Sequence, residues 1–204
     1  MLKKYSLVIT AFCMGAFAIP ASAEVSVGSM APEIEAVDVM SGEAFKLSDH
    51  KGKVVVLEWT NHGCPFVVKH YGSGNMQKVQ KEALAQDNVE WVTIVSSAPG
   101  RQGHVTAEEA KAIVEKEGAS VSAKLLDETG EIGKAYGAQT TPHMFVIDAE
   151  GKLAYMGAID DNSSPNPKTV EGAKNYVLAA LSDIAAGKPV EMAQTRSYGC
   201  GVKY

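Results

Sequence analysis

The chain has 204 residues, 19 basic and 24 acidic side chains and a formal net charge of −5. Its arginines are Arg101 and Arg196 alone. With no basic patch or stripe, the charge pattern argues against a nucleic-acid partner. A hydrophobic share of 46% with 21% charged residues is that of a globular chain, and excludes a low-complexity or disordered one.

Lys3 and Lys4 precede an almost wholly apolar run from Leu7 to Ala18, and Ala21-Ser22-Ala23 supplies small residues for cleavage. This pattern predicts a removable export leader over residues 1–23 and a periplasmic or secreted location. The apolar run is too short to span a bilayer, so no stable membrane insertion is expected after leader removal. The remainder, residues 24–204, suits one compact domain of roughly 180 residues. Cys13 leaves with the leader, and Cys64 and Cys200 remain. Two cysteines in an oxidising compartment suggest an intramolecular disulfide.

Alternation through Glu33-Ile34-Glu35-Ala36-Val37-Asp38-Val39 predicts an edge strand or hairpin ahead of the core. Val54-Val55-Val56-Leu57-Glu58-Trp59 reads as a buried strand between Lys51-Gly52-Lys53 and Asn61-His62-Gly63 turns. Pro65 suits the first position of a helix, where its missing N–H costs nothing. Gly72-Ser73-Gly74 interrupts that helix, which resumes through about Ala85. Val89 to Val95 is a second buried strand, and Thr106-Ala107-Glu108-Glu109 has the capping-box pattern of a helix start. Next come a short extended segment at Lys124–Asp127 and a short helix around Glu131–Tyr136. Met144–Asp148 and Lys152–Gly157, joined at Ala149-Glu150-Gly151, form a hairpin. Periodicity predicts a last helix over Thr169–Ala186, followed by a tail that ends Tyr198-Gly199-Cys200-Gly201-Val202-Lys203-Tyr204. The first two core strands, linked by a helix, should be parallel, and the hairpin antiparallel. Loops 61–64, 96–104 and 139–142 then converge on one edge of the sheet, where α/β proteins bind ligands.

Cys64 therefore falls where a strand gives way to a helix. Free N–H groups and the positive end of the helix dipole favour a thiolate there. His62 in the same turn is a candidate partner for that charge, and Arg101 a candidate for steering an anion or peroxide. Glu58, an acid in an apolar strand, is a candidate proton acceptor whose own charge would oppose the thiolate. Glycines on both sides of Cys200 suit a mobile resolving cysteine and equally a static clamp on the tail.

The chain resembles the thioredoxin fold, and more narrowly the peroxiredoxin-like branch of the alkyl hydroperoxide reductase and thiol-specific antioxidant family. The resemblance rests on Glu58–Phe66, Thr140-Thr141-Pro142, Gly157-Ala158-Ile159-Asp160-Asp161 and the ending Tyr198–Tyr204. It implies an α/β thioredoxin-like (redoxin) domain: a central mixed sheet flanked by helices, with an N-terminal β extension and a C-terminal tail. It places Cys64 at the reactive cysteine and Pro142 at the cis-proline beside it. Val67 stands where a disulfide exchanger has its second cysteine. Asn61 and Leu57 stand where peroxiredoxins carry a Thr or Ser and a Pro, with Thr60 one step away.

The expected activity is an exported thiol oxidoreductase with antioxidant chemistry and no cofactor. Cys64 attacks a peroxide or a disulfide, Cys200 resolves the product, and an external thiol donates electrons. The alternatives are copper or zinc binding through Cys64, His62, His70 and His143, or a non-catalytic binding module with a structural Cys64–Cys200 disulfide.

Overall fold

A computed structural model describes residues 25–204; the expected leader lies outside the described residues. Short strands β1 (Glu35–Val37) and β2 (Ala44–Lys46) pair as an antiparallel hairpin beside the main sheet, as the alternation from Glu33 to Val39 predicts. The main sheet is built from β3 (Val54–Trp59), β4 (Val89–Val95), β5 (Ala123–Leu126), β7 (His143–Ile147) and β8 (Leu153–Gly157). A two-residue strand, β6 (Thr140–Thr141), lies between β5 and β7 in sequence. The sheet order is β5-β4-β3-β7-β8, with β3–β4 and β4–β5 parallel and β3–β7 and β7–β8 antiparallel.

Every residue of β3 is buried, because the strand is central and covered on both faces. Val54 and Val56 pack towards helices α1 (Pro65–Gly72), α2 (Asn75–Leu84) and α5 (Tyr176–Ala185). Val55, Leu57 and Trp59 face the opposite layer with Tyr136, Phe145 and Leu153. This follows from the two-residue repeat of a strand, and each such apolar side chain contributes about 1.5–3 kcal/mol on burial. Helix α3 (Ala107–Glu117) starts at Thr106 in a formed capping box, with the Glu109 N–H donating to Thr106 Oγ1 and the Thr106 N–H to the Glu109 carboxylate. Helix α4 (Glu131–Ala135) is a single turn or so.

One prediction needs correction. Thr169–Ala186 is not a continuous helix: a 3₁₀ turn spans Pro167–Thr169, and α5 begins only at Tyr176. Gly172 sits at φ +78°, outside helical space, and the Asn175 side chain caps α5 by accepting from the Leu178 N–H.

After α5 the tail crosses the carboxyl edge of β3 and β4. Its N–H groups and carbonyls pair first with Met156 of β8, through Ala193 and Thr195. Strand β9 (Cys200–Gly201) then pairs antiparallel with β6, placing Cys200 opposite Thr141. The Val202 N–H donates to the Gln139 carbonyl, the Ala98 N–H to the Lys203 carbonyl, and the Tyr204 hydroxyl to the Ala138 carbonyl.

Candidate active site

Cys64 is the N-cap of α1, with extended backbone angles and Pro65 at the first helical position. Its Sγ–H donates to the Thr141 carbonyl oxygen at 3.0 Å, across the Thr141–Pro142 peptide bond, which is cis. Cys64 has no exposed surface, whereas Cys200 is half-buried. Both are free thiols in the structure.

Burial alone pushes the Cys64 thiol up. The Cys200 thiol, the Val67 N–H, the Thr141 hydroxyl and the Cys200 N–H outweigh that effect, so Cys64 ionises below its ordinary value. Thr141 Oγ1 is buried with no other hydrogen-bond partner among the described residues, so its O–H is free to serve a thiolate. The same contacts act in reverse on Cys200. Burial, donation of its proton to Cys64 and the nearby Cys64 charge push it up to about 11. Of the pair, Cys64 is therefore the sulfur that ionises more readily and Cys200 the one that holds its proton.

Asn61 is buried and ties the active-site turn to the loop after β4. Its Nδ2 donates to Gln102 Oε1 at 2.9 Å and to the Gln102 carbonyl at 3.2 Å, and its Oδ1 accepts from the Gly63 N–H. Gln102 lacks any local sequence signal, and only the meeting of the two loops reveals it. Arg101, its neighbour, is exposed, and its side chain makes no hydrogen bond or ion pair among the described residues. Thr60 is buried, its N–H donating to the Ile94 carbonyl. His62 is exposed, and its side chain makes no hydrogen bond or ion pair among the described residues.

Glu58 is fully buried behind the site. It accepts from Tyr71, Trp91 Nε1 and Gln80 Nε2, with no hydrogen bond to Cys64. Burial pushes its carboxyl up against these donors. Burial also takes Glu117 up to about 7 and holds the buried Lys124 below its usual range.

The tail is anchored two residues before Cys200. The Tyr198 hydroxyl donates to Asp160 Oδ1 and contacts His70 Nε2 at 3.1 Å. His70 also contacts the Asn75 amide, and burial drops it to about 4, leaving it neutral. His143 is likewise buried, takes the Gln139 N–H on Nδ1, and falls to about 4. His62, His70 and His143 therefore do not gather round Cys64, and among the described residues no three His, Cys, Asp or Glu side chains are grouped to hold a metal ion. Asp160 stands in a sequence match of the family resemblance, but its contact with Tyr198 spans 38 positions and has no local signature.

A mixed sheet flanked by helices, with a cysteine at a helix N-cap facing a cis-proline, defines a thioredoxin-like fold. The Redoxin family model matches residues 26–176, and the chain belongs to that family. No curated protein matches it. Among solved structures, it is similar to an uncharacterized conserved protein from Geobacillus kaustophilus, 28% identical, with TM-score 0.76 over 89% of this chain and 94% of that one. It is also similar to a hypothetical protein from Sinorhizobium meliloti 1021, 26% identical, with TM-score 0.73 over 89% and 96% of the two chains. A putative thiol:disulfide interchange protein DsbE from Chlorobium tepidum shares the fold at 22% identity and TM-score 0.53, over 65% of this chain and 85% of that one.

Proposed function

We propose that this chain is an exported thiol oxidoreductase that cycles between a Cys64/Cys200 dithiol and a Cys64–Cys200 disulfide. The observation that carries the reading is the placement of the two sulfurs. Cys64 donates to the carbonyl of Thr141, and Thr141 is the residue Cys200 faces across the β6–β9 pairing. Export rests on the leader pattern of residues 1–23.

Of the two electrophile classes, the full burial of Cys64 favours the smaller, a hydroperoxide. The Cys64 thiolate attacks one peroxide oxygen, the O–O bond breaks, and the leaving alkoxide or hydroxide takes a proton. Cys64 becomes a sulfenic acid. The sulfur of Cys200 then attacks the sulfenic sulfur, a disulfide forms, and water leaves with the Cys200 proton. Two electrons from external thiol restore the dithiol.

The test compares the rate of Cys64 oxidation by hydrogen peroxide with its rate against a model disulfide, followed by peptide mapping. A crosslinked Cys64–Cys200 peptide, formed faster with peroxide, is the expected result. Cys64 left free in fully oxidised protein would sink the reading. The pinning of the tail along 193–204 favours one rival, a structural clamp. Structural disulfides have potentials below about −300 mV, and a catalytic one should be more oxidising.

A further inference from the structure

The two sulfurs differ in reach. Cys64 has no exposed surface and lies beneath β9, while Cys200 in β9 itself is half-exposed. Beside Cys200 opens a cleft of about 690 Å³, with Thr140, Asp160, Asp161, Arg196, Tyr198 and Gly199 among its walls. That volume is within the range of small-molecule sites. Gly199, on its rim, is the residue before Cys200. Arg196 is exposed and has no ion pair among the described residues. Asp160 is 2% exposed, and its Oδ2 has no hydrogen-bond partner among them. Lys69 and His70 approach that oxygen to 3.8 and 3.9 Å. Asp160 is thus engaged and closed to the cleft, which offers instead the unpaired cation of Arg196 and the exposed carboxylate of Asp161, with Gly199 on its rim one residue from a sulfur.

We propose that this cleft receives the reducing substrate, a small thiol bearing both a carboxylate and an ammonium group, and that its sulfur attacks Cys200 and expels Cys64. This rests on the disulfide cycle proposed above. The donor thiolate bonds to the Cys200 sulfur, the Cys64–Cys200 bond breaks, and its electron pair leaves on Cys64. A second donor thiolate then attacks the donor sulfur of the mixed disulfide. It releases the oxidised donor, a disulfide of two thiols, and Cys200, which takes up a proton. The chemistry agrees with the geometry, because a sulfur that is stable as a thiolate leaves faster. The half-exposed residue is attacked, and the buried one is the leaving group.

The experiment uses the oxidised wild-type protein and glutathione as probe. Intact mass first establishes the internal disulfide; two free thiols at that stage would defeat the cycle itself, and this proposal with it. A brief exposure to glutathione is then stopped with acid and alkylating agent, and both cysteines are mapped by mass spectrometry. Glutathione on Cys200 and the alkyl group on Cys64 are expected. Glutathione on Cys64, with a sound internal disulfide, overturns the proposal while leaving the cycle intact. A second measurement addresses the cleft. Arg196→Glu should lower the ratio of the glutathione rate to the neutral 2-mercaptoethanol rate by roughly threefold, the scale of an exposed ion pair. An unchanged ratio removes the cleft as the docking place.

Discussion

Gly199→Ala should uncover Cys64. Gly199 sits at φ +144°, a backbone conformation that L side chains rarely adopt, and an added Cβ would collide with the Thr141 carbonyl oxygen. That oxygen also accepts the Cys64 proton, and it belongs to the strand that β9 pairs with. The obstacle is backbone on both sides, so the tail has to lift rather than a side chain turn aside. A non-glycine residue forced into such a conformation costs about 1–3 kcal/mol, and a cost of that size raises the lifted fraction about 5- to 150-fold. The readout is the alkylation rate of Cys64, followed on its own peptide in a Cys200→Ser background, where the tail cannot be crosslinked to it. Gly187→Ala is the control: Gly187 is also at positive φ, but a Cβ there meets nothing within 4 Å. The expected result is Cys64 labelling accelerated at least fivefold by Gly199→Ala and hardly at all by Gly187→Ala. Equal rates in both variants would mean that the tail does not control access to Cys64, and the reasoning from its burial would fail.

Three further outcomes follow from the same contacts. Cys200→Ala removes a hydrogen-bond donor to Cys64, so the alkylation midpoint of Cys64 should rise relative to wild type, while Cys200→Ser, which keeps a donor, should raise it less. Asn61→Ala strips partners from Gln102 and the Gly63 N–H in a buried setting and should cost about 1–3 kcal/mol in urea unfolding; Asn61→Asp, which keeps the acceptor but loses the donor, separates the two contributions. Burial raises Glu117 to about 7 from an ordinary 4.5, so the folded state binds a proton that the unfolded chain has released between those pH values. Its contribution is therefore full below pH 4.5 and lost as pH rises through about 7. Glu117→Gln should flatten that fall in the urea midpoint, and an unchanged slope would show that Glu117 titrates normally.

Local order was largely legible in the sequence, because local order follows short-range rules. The branched apolar run at 54–57 and the two-residue repeat mark the central strand. Pro65 after Cys64 fixes a helix start, and the Thr106/Glu109 spacing fixes another. The turn at 148–151 fixes the final hairpin. These signals also place Cys64 at the N-cap, which is enough to expect a thiolate. The periodicity failed at 169–175, where apolar spacing continued but Gly172 had already left helical space. What the tertiary structure alone decided are contacts between residues far apart in the chain. Asn61 meets Gln102 across 41 positions, and Tyr198 meets His70 across 128. The burial of Cys64 depends on a tail more than 130 positions away that lies down along β6 rather than into solvent. Such contacts arise from how sheet edges and loops pack in three dimensions, and no neighbouring residue carries a record of them. The sequence by itself therefore determined which sulfur sits at a helix N-cap, whereas only the fold determined the partners that favour its ionisation and which sulfur the solvent can reach.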